Sequence, residues 1–331
     1  MNRFHPSLRS SLIALAIVAT GFVTATSADA QDSPATSDVG QGRAVLITGA
    51  SSGIGLRTAE VLAANGFYVY AGARKQADLD ALSAIDNIEG VRLDVNVQED
   101  IDAAIETVTA GGRGLYALIN NAGVVVLAPL IEISEENLAF QMNVNVYGPY
   151  RVTKAFAPLL IESGGRVATT GSISGIVTWP LGGPYTMSKH AVEAYTDVLA
   201  FEMAELGVDV AVVEPGNYKS KIMDSMVTRM RETGFSTEGS IAQERLDAML
   251  SGPTDRGQFK EPDEVADAFL DFLTTDSPKR RYMVVPNERE AELTIGAHIR
   301  RLVQLNEDQP YSFTRDELMA MIDEAMADSN D

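Results

Sequence analysis

The sequence predicts an α/β fold in which a doubly wound parallel sheet of seven strands carries helices on both faces. Three observations support this. From Arg43 onward, short apolar runs alternate with stretches of helical spacing. The runs are near-continuous rather than alternating in polarity, as expected for strands buried on both faces. The intervals between most of them leave room for a crossover helix, so parallel pairing with right-handed crossovers follows.

The strand candidates, in order, are RAVLIT (43–48), FYVYAG (67–72), VRLDV (91–95), LYALIN (115–120), RVATTG (166–171), VDVAVVEP (208–215) and RYMVVP (281–286). GLRTAEVLAANG and EDIDAAIETVTAGG illustrate the helical spacing between them. The interval 217–261 lacks a strand, and Met223, Met226, Met230 and Met249 suggest a mobile, partly apolar helical insert. Two more helical stretches are expected at about 289–305 and 314–327. No solenoid repeat or Pro-rich linker interrupts 43–331, so residues 43–286 are expected to form one catalytic domain, with 287–331 its helical extension.

Composition narrows the function classes. The chain has 331 residues, 45% of them hydrophobic, enough for a sizeable core. Its 46 acidic and 26 basic residues give a formal charge of −20, which argues against nucleic acid or an anionic membrane as main partner. There is no cysteine, which excludes disulfides, cysteine nucleophiles and thiolate metal sites. Three histidines (His5, His190 and His298) leave no metal centre expected. Residues 1–30 have the three parts of a secretory signal: Arg3 and Arg9, an apolar run at 11–26, and Ala28 and Ala30 at cleavage-site spacing. Export to the periplasm or medium is one expectation. Attachment to a membrane, with 11–26 retained as an anchor, is the other. Residues 31–42 are expected to be a flexible leader.

LITGASSGIGLRTAEVL runs strand, glycine turn, helix. Gly49, Gly53 and Gly55 let the backbone approach a pyrophosphate, and the helix start offers free N–H groups. This points to the dinucleotide-binding, Rossmann-type form of the sheet, although Gly-x3-Gly-x-Gly is not the commonest fingerprint. Ser51, Ser52 and Ile54 complete the turn. After the second strand, Arg74 and Lys75 stand where an acid would hold the ribose hydroxyls of NAD, which favours NADP(H) over NAD(H). Asp94, beside Val95, is placed to hydrogen-bond an adenine amino group. Asn121, Ala122 and Gly123 suit a turn beside the ligand.

In PLGGPYTMSKHAVEAY, Tyr185 and Lys189 are four apart at a helix start and share a face. A nearby ammonium lowers a phenol's pKa and makes it a usable acid/base. Ser172 closes the fifth strand and can hydrogen-bond an oxygen whose charge develops during reaction. A carbonyl between Ser172 and Tyr185 can accept hydride from a nicotinamide, which no side chain can replace. A Tyr-x3-Lys pair alone is a common surface pattern; the glycine turn and the strand-end serine give it weight. Ser174 is expected to serve the loop. His190 points about 100° around the helix from Lys189 and is expected to be structural.

TGASSGIG, LDV, NNAG, NVNVYG, GSISG, YTMSK and EPGNYKS, in that order across 43–286, resemble the short-chain dehydrogenase/reductase family in its core-domain subgroup. The resemblance implies an NAD(P)-dependent oxidoreductase interconverting an alcohol and its ketone or aldehyde. It makes Tyr185 the general acid/base, Lys189 the residue that tunes it and binds the nicotinamide ribose, and Ser172 the substrate-oxygen anchor. Asn145 becomes the holder of a relay water. Pro215, Gly216 and Ser220 border the nicotinamide, with serine where threonine is usual. EPGNYKS and the long tail are more similar to retinol- and steroid-dehydrogenase-like members, which implies a small apolar alcohol or carbonyl substrate. Family members are commonly homo-oligomers, and the tail can block or replace those contacts. A catalytically silent nucleotide-binding sensor or scaffold, and an isomerase or epimerase, remain the alternatives.

Overall fold

The computed structural model describes residues 39–252 and 256–328. The strands are β1 (Ala44–Ile47), β2 (Tyr68–Ala73), β3 (Ile88–Arg92), β4 (Ala117–Asn120), β5 (Arg166–Thr170), β6 (Asp209–Pro215) and β7 (Arg281–Val284). They form one seven-stranded sheet in the order β3-β2-β1-β4-β5-β6-β7. Every pairing is parallel. The helices are α1 (Gly53–Ala64), α2 (Gln76–Ser83), α3 (Gln98–Ala110), α4 (Glu135–Met142), α5 (Gly148–Ser163), α6 (Gly183–Ala204), α7 (Ile222–Glu232), α8 (Gln243–Ser251), α9 (Asp263–Thr274), α10 (Glu288–Asn306) and α11 (Arg315–Asp328). A π-helical turn, Asn143–Tyr147, lies between α4 and α5.

The pleat of β1 divides the core. Val45 and Ile47 pack on one face with Ala59 and Leu62 of α1 and Val265, Phe269 and Phe272 of α9. Ala44 and Leu46 pack on the other with Ile101 and Val108 of α3, Phe156 and Leu160 of α5, and Met203 of α6. Both faces of the strand are therefore dry, which is why its sequence is continuously apolar. Among the described residues no helix is long and apolar enough to cross a membrane. The expected signal or anchor, residues 1–30, lies outside the described residues.

Several boundaries differ from expectation, the third strand's most. The third strand starts at Ile88, three residues early, and ends at Arg92, so Asp94 and Val95 lie just beyond it. Glu89 and Gly90 interrupt the apolar run and hide the strand, yet β2 pairs with it from Val69↔Ile88 to Ala73↔Arg92. Gly90 is required: a Cβ there would lie 2.5 Å from the Leu79 carbonyl oxygen of α2. The seventh strand stops at Val284 rather than residue 286. Residues 40–42 are not a loose leader. Gly40 N–H donates to Asn65 O (2.8 Å), Gly42 N–H donates to Gly66 O (2.8 Å), and the Arg43 guanidinium covers the Tyr116 ring at 4.1 Å.

The insert is helical, as expected, and its methionines divide. Met226 and Met230 are buried with Val125 and Leu127, while Met223 and Met249 are only partly covered. Phe269 is fully buried between α1 and the sheet. Phe269→Ala is expected to lower unfolding free energy by about 3–5 kcal/mol, measured by urea denaturation. A loss below ~1 kcal/mol contradicts this packing.

Candidate active site

The carboxyl ends of β1 to β6 open onto a cleft of about 670 Å³. The strand order reverses between β1 and β4, the switch point where open α/β sheets hold ligands. Every residue expected to bind the cofactor lines this cleft, as do Ser172, Tyr185 and Lys189. Asn145 does not. Lys75, the second half of the basic pair, is also absent from the lining; it stands at the start of α2.

The glycine turn is a cradle that side chains would fill. Gly49 has φ +66°, and a Cβ there would lie 2.8 Å from the Ala122 Cα. A Cβ on Gly55 would meet Asn121 Nδ2 at 2.4 Å and Gly49 O at 2.5 Å. Asn121 ties the parts together. Its amide donates to Thr48 O (3.1 Å) and Gly49 O (3.0 Å), and its Oδ1 accepts from Thr170 Oγ1 (3.3 Å). Thr48 Oγ1 accepts the N–H groups of Asn121 and Ala122, each at 3.0 Å. Thr48 escaped the sequence reading, although it closes the first strand directly before Gly49. These close approaches leave a backbone-lined trough at the start of α1, which fits a dinucleotide pyrophosphate. Arg74 is largely exposed at the far end, 3.7 Å from Asp94 Oδ2. Asp94 Oδ1 accepts from Asn96 N–H at 2.9 Å.

The Gly182–Gly183 bend before α6 permits close packing. A Cβ on Gly182 would lie 2.4 Å from the Trp179 ring, and one on Gly183 would lie 2.5 Å from Leu130 Cγ. Pro184 follows in the first turn and suits it, because its missing N–H would have no helical partner. Lys189 is buried. Its ammonium donates to Thr170 O at 2.8 Å and lies 5.7 Å from the Tyr185 ring centre. Burial pulls the Lys189 pKa down to about 8, against the opposing pull of Glu193. Burial pushes the Tyr185 phenol up, while a hydrogen bond with Ser172 and the charge of Arg256 pull it back. The expected lowering of the phenol by Lys189 is thus not what governs Tyr185 here; Ser172 and Arg256 oppose its desolvation. Ser172 Oγ accepts from Ser174 N–H (3.0 Å), which leaves its own O–H to donate toward the cleft. Ser174 Oγ accepts from the Trp179 indole (3.2 Å), a loop role as expected. His190 Nδ1 bonds Thr186 O at 2.9 Å, and Nε2 faces Arg301 of α10.

Asn145 is fully engaged by protein. Oδ1 accepts Val124 N–H (2.8 Å), and Nδ2 donates to Val124 O (3.0 Å) and Ser188 Oγ (3.0 Å). Gln141 Oε1 accepts Val126 N–H at 2.7 Å. Ser188 Oγ in turn donates to Tyr185 O at 2.7 Å. Gln141 and Ser188 also escaped the sequence reading, because neither their burial nor the π-turn shows in the local pattern. The Asn145 side chain is therefore fully taken up by protein, and only its main-chain carbonyl is left to hold a water.

Behind Lys189 lies a second buried group. Glu193 and Glu214 face each other, and the buried Oε1 atom of each finds no N–H or hydroxyl partner among the described residues. One carboxyl must carry a proton toward the other. Arg281 lies 3.2 Å from Glu193 and bonds Asp197 at 2.8 Å. Burial and Glu193 push the Glu214 carboxyl up to about 8.

Against this geometry, the short chain dehydrogenase family model matches residues 43–231. The chain belongs to the short-chain dehydrogenases. It is 32% identical to the Escherichia coli K12 protein named uncharacterized oxidoreductase YbbO, over 73% of this chain and 85% of that one. It is 32% identical to the NADPH-dependent 3-dehydrocapnine reductase of Ornithobacterium rhinotracheale, over 74% and 89%. Among solved structures, a Burkholderia phymatum short chain dehydrogenase/reductase in complex with NAD superposes with a TM-score of 0.69 at 25% identity, covering 82% of this chain and 98% of that one. As a short-chain dehydrogenase, this chain is an NAD(P)-dependent oxidoreductase.

The Glu193–Glu214 pair makes a pH prediction. Folded Glu214 keeps its proton to about pH 8, whereas the unfolded chain releases it near 4.5. Between those values the folded state binds more protons, so this group's contribution to stability falls as pH rises. Glu214→Gln removes that slope and keeps a donor for Glu193. The variant should gain on the wild type by on the order of 2 kcal/mol from pH 5 to pH 8, below the full ~1.4 kcal/mol per pH unit because Arg281 relieves the charge. Parallel stability profiles for the two proteins would contradict the shared proton.

Proposed function

We propose that this protein interconverts an alcohol and its ketone or aldehyde with NADP(H) in preference to NAD(H), with Tyr185 as the general acid/base. The observation that carries the proposal is the convergence of Ser172, Tyr185 and Lys189 on one wall of a cleft whose other end is the glycine trough. Gly49, Ser51, Ser52, Gly53, Ile54 and Gly55 would hold the pyrophosphate; Asp94 and Val95 the adenine; Pro215, Gly216 and Ser220 the nicotinamide end. When bound, the nicotinamide supplies or takes the hydride.

The remaining chemistry is proton chemistry on this chain's own groups. The Ser172 O–H donates to the substrate oxygen and holds it beside the Tyr185 phenol. In the reduction direction the phenol passes its proton to that oxygen; in oxidation the phenolate takes it back. Lys189, with a pKa near 8, is mostly charged at neutral pH and holds the ribose from its place beside Thr170 O. Because the Asn145 side chain is occupied, a relay water would have to rest on its main-chain carbonyl. The π-turn offsets that carbonyl from the usual helical ladder.

NADP(H) is preferred because Arg74 lines the adenine end and no acid follows β2 there. The substrate end is largely apolar, with Val125, Val177, Trp179, Met223, Met249 and Leu293 along it. Leu293 comes from α10, so the C-terminal extension forms part of the wall.

An alcohol and ketone panel with both nucleotides, read as nicotinamide absorbance, tests the activity. Tyr185→Phe should cut turnover on the order of 10²–10⁴-fold with nucleotide affinity nearly intact; wild-type turnover in that variant removes the mechanism. Arg74→Asp should move the kcat/KM ratio toward NAD by on the order of tenfold. An unchanged ratio retires the NADP preference.

A further inference from the structure

The charge of the cleft runs against that of the chain. With a formal charge of −20 overall, the lining carries one acid, Asp94, against four cations: Arg74, Lys189, Lys221 and Arg256. Arg74 stands at the adenine end, and Lys189 is spent on Thr170 and the ribose. Arg256 enters the mechanism above only through its charge at the Tyr185 phenol. It lies near the end of the 217–261 insert and lines the cleft.

The side chain is held, not loose. Nε donates to Tyr218 O at 3.0 Å, Nη2 donates to Asn217 Oδ1 at 3.1 Å, and the guanidinium covers the Phe259 ring at 4.1 Å. Its backbone takes φ 50°, a conformation an arginine adopts only where its surroundings hold it. Among the described residues no carboxylate lies within 4 Å of it, and Nη1 has no hydrogen bond. Burial pulls its pKa down, and Tyr185 and Glu290 oppose that pull, so its charge is felt at the phenol. A half-buried guanidinium with an unused edge is costly unless an anion completes it.

We infer that Arg256 is a specificity-determining residue that binds a carboxylate on the substrate, so that the enzyme acts on a hydroxy or oxo carboxylic acid with an apolar chain. The apolar wall of Val177, Met223 and Leu293 takes the chain, and Nη1 takes one carboxylate oxygen. Nη1 offers one unused edge, which suits a single carboxylate oxygen. This deepens the proposed function and rests on it for the reacting carbonyl, but the anion site is measurable on its own.

The test titrates the full chain, saturated with NADP+, with 4-oxopentanoate, 6-oxoheptanoate and 8-oxononanoate and with the methyl ester of each. Binding is read by calorimetry and by fluorescence of Trp179, the single tryptophan and a cleft-lining residue. For at least one chain length the acid should bind about tenfold or more tighter than its ester. Arg256→Gln, which keeps donors for Tyr218 and Asn217, should bring the pair within about twofold, Arg256→Lys should keep most of the preference, and neither should change nucleotide affinity. The inference is overturned if acids bind no tighter than esters at every length, if Arg256→Gln keeps the preference, or if that variant loses nucleotide affinity. Acids that bind through Arg256 but are never reduced with NADPH would overturn the proposed carbonyl chemistry at Tyr185 and leave the anion site standing. Equal affinities alongside reduction would do the reverse.

Discussion

A buried ammonium sets the geometry of this cleft. Lys189 is 6% exposed, and a charge so placed persists only with partners. The Thr170 carbonyl at the end of β5 is one, and Glu193, a turn later on α6, is another. The hydrogen bond to Thr170 ties α6 to the end of the sheet and so sets where Tyr185 stands, while Glu193 acts through its charge alone. The ammonium also dictates what lies behind. Glu193 reaches its place only because Gly171 and Gly175 lack side chains; a Cβ on Gly175 would lie 2.7 Å from Glu193 Oε1. The glycines of GSISG therefore serve Lys189 as much as they serve the loop that carries Ser172.

The same logic of close approach governs the nucleotide end. Gly49, Gly55 and Asn121 interlock so tightly that the turn, the end of β4 and the end of β5 form one hydrogen-bonded unit through Thr48 and Thr170. Gly216 repeats the device on the opposite wall. A Cβ there would collide with the Glu290 carboxylate, which accepts Asn217 N–H at 2.8 Å. The C-terminal extension is thereby clamped to the loop after β6. A ligand entering here meets walls already braced by neighbouring backbone, the preorganisation an active site needs.

Local pattern in the sequence was enough to reveal the sheet, because strands dry on both faces leave a mark no helix shares. It was also enough to pick out Gly49 and Ser172 at strand ends and Tyr185 at a helix start, which line one cleft. It failed where tertiary contact overrides local signal. Ile88 begins a strand that Glu89 and Gly90 disguise, and only pairing with β2 explains it. Asn145 reads as a polar residue in a helix and turns out to brace Val124 from a π-turn, a departure that periodicity does not display. Glu290, Leu293 and Arg256 are far along the chain from every motif. The places of Leu293 and Arg256 in the cleft, and of Glu290 behind Gly216, depend on how α10 and the end of the insert fold back, which no spacing rule encodes.

The contrast between surface and cleft follows from these placements. An acidic surface repels anions in bulk solution, so an anionic ligand is favoured only where cations are concentrated and water is thin. The cleft concentrates cations at both ends, and apolar side chains line its substrate end. Screening by salt weakens the long-range repulsion more than the short-range contact, because the surface charges act across many ångströms and the guanidinium acts at hydrogen-bond distance. Rising ionic strength should therefore speed entry of an anionic ligand while changing its residence little. A neutral ligand of the same shape should show neither effect. On the inference drawn for Arg256, the charge pattern would act as a selectivity device: the acidic surface slows every anion alike, and the cleft retains those that meet the guanidinium.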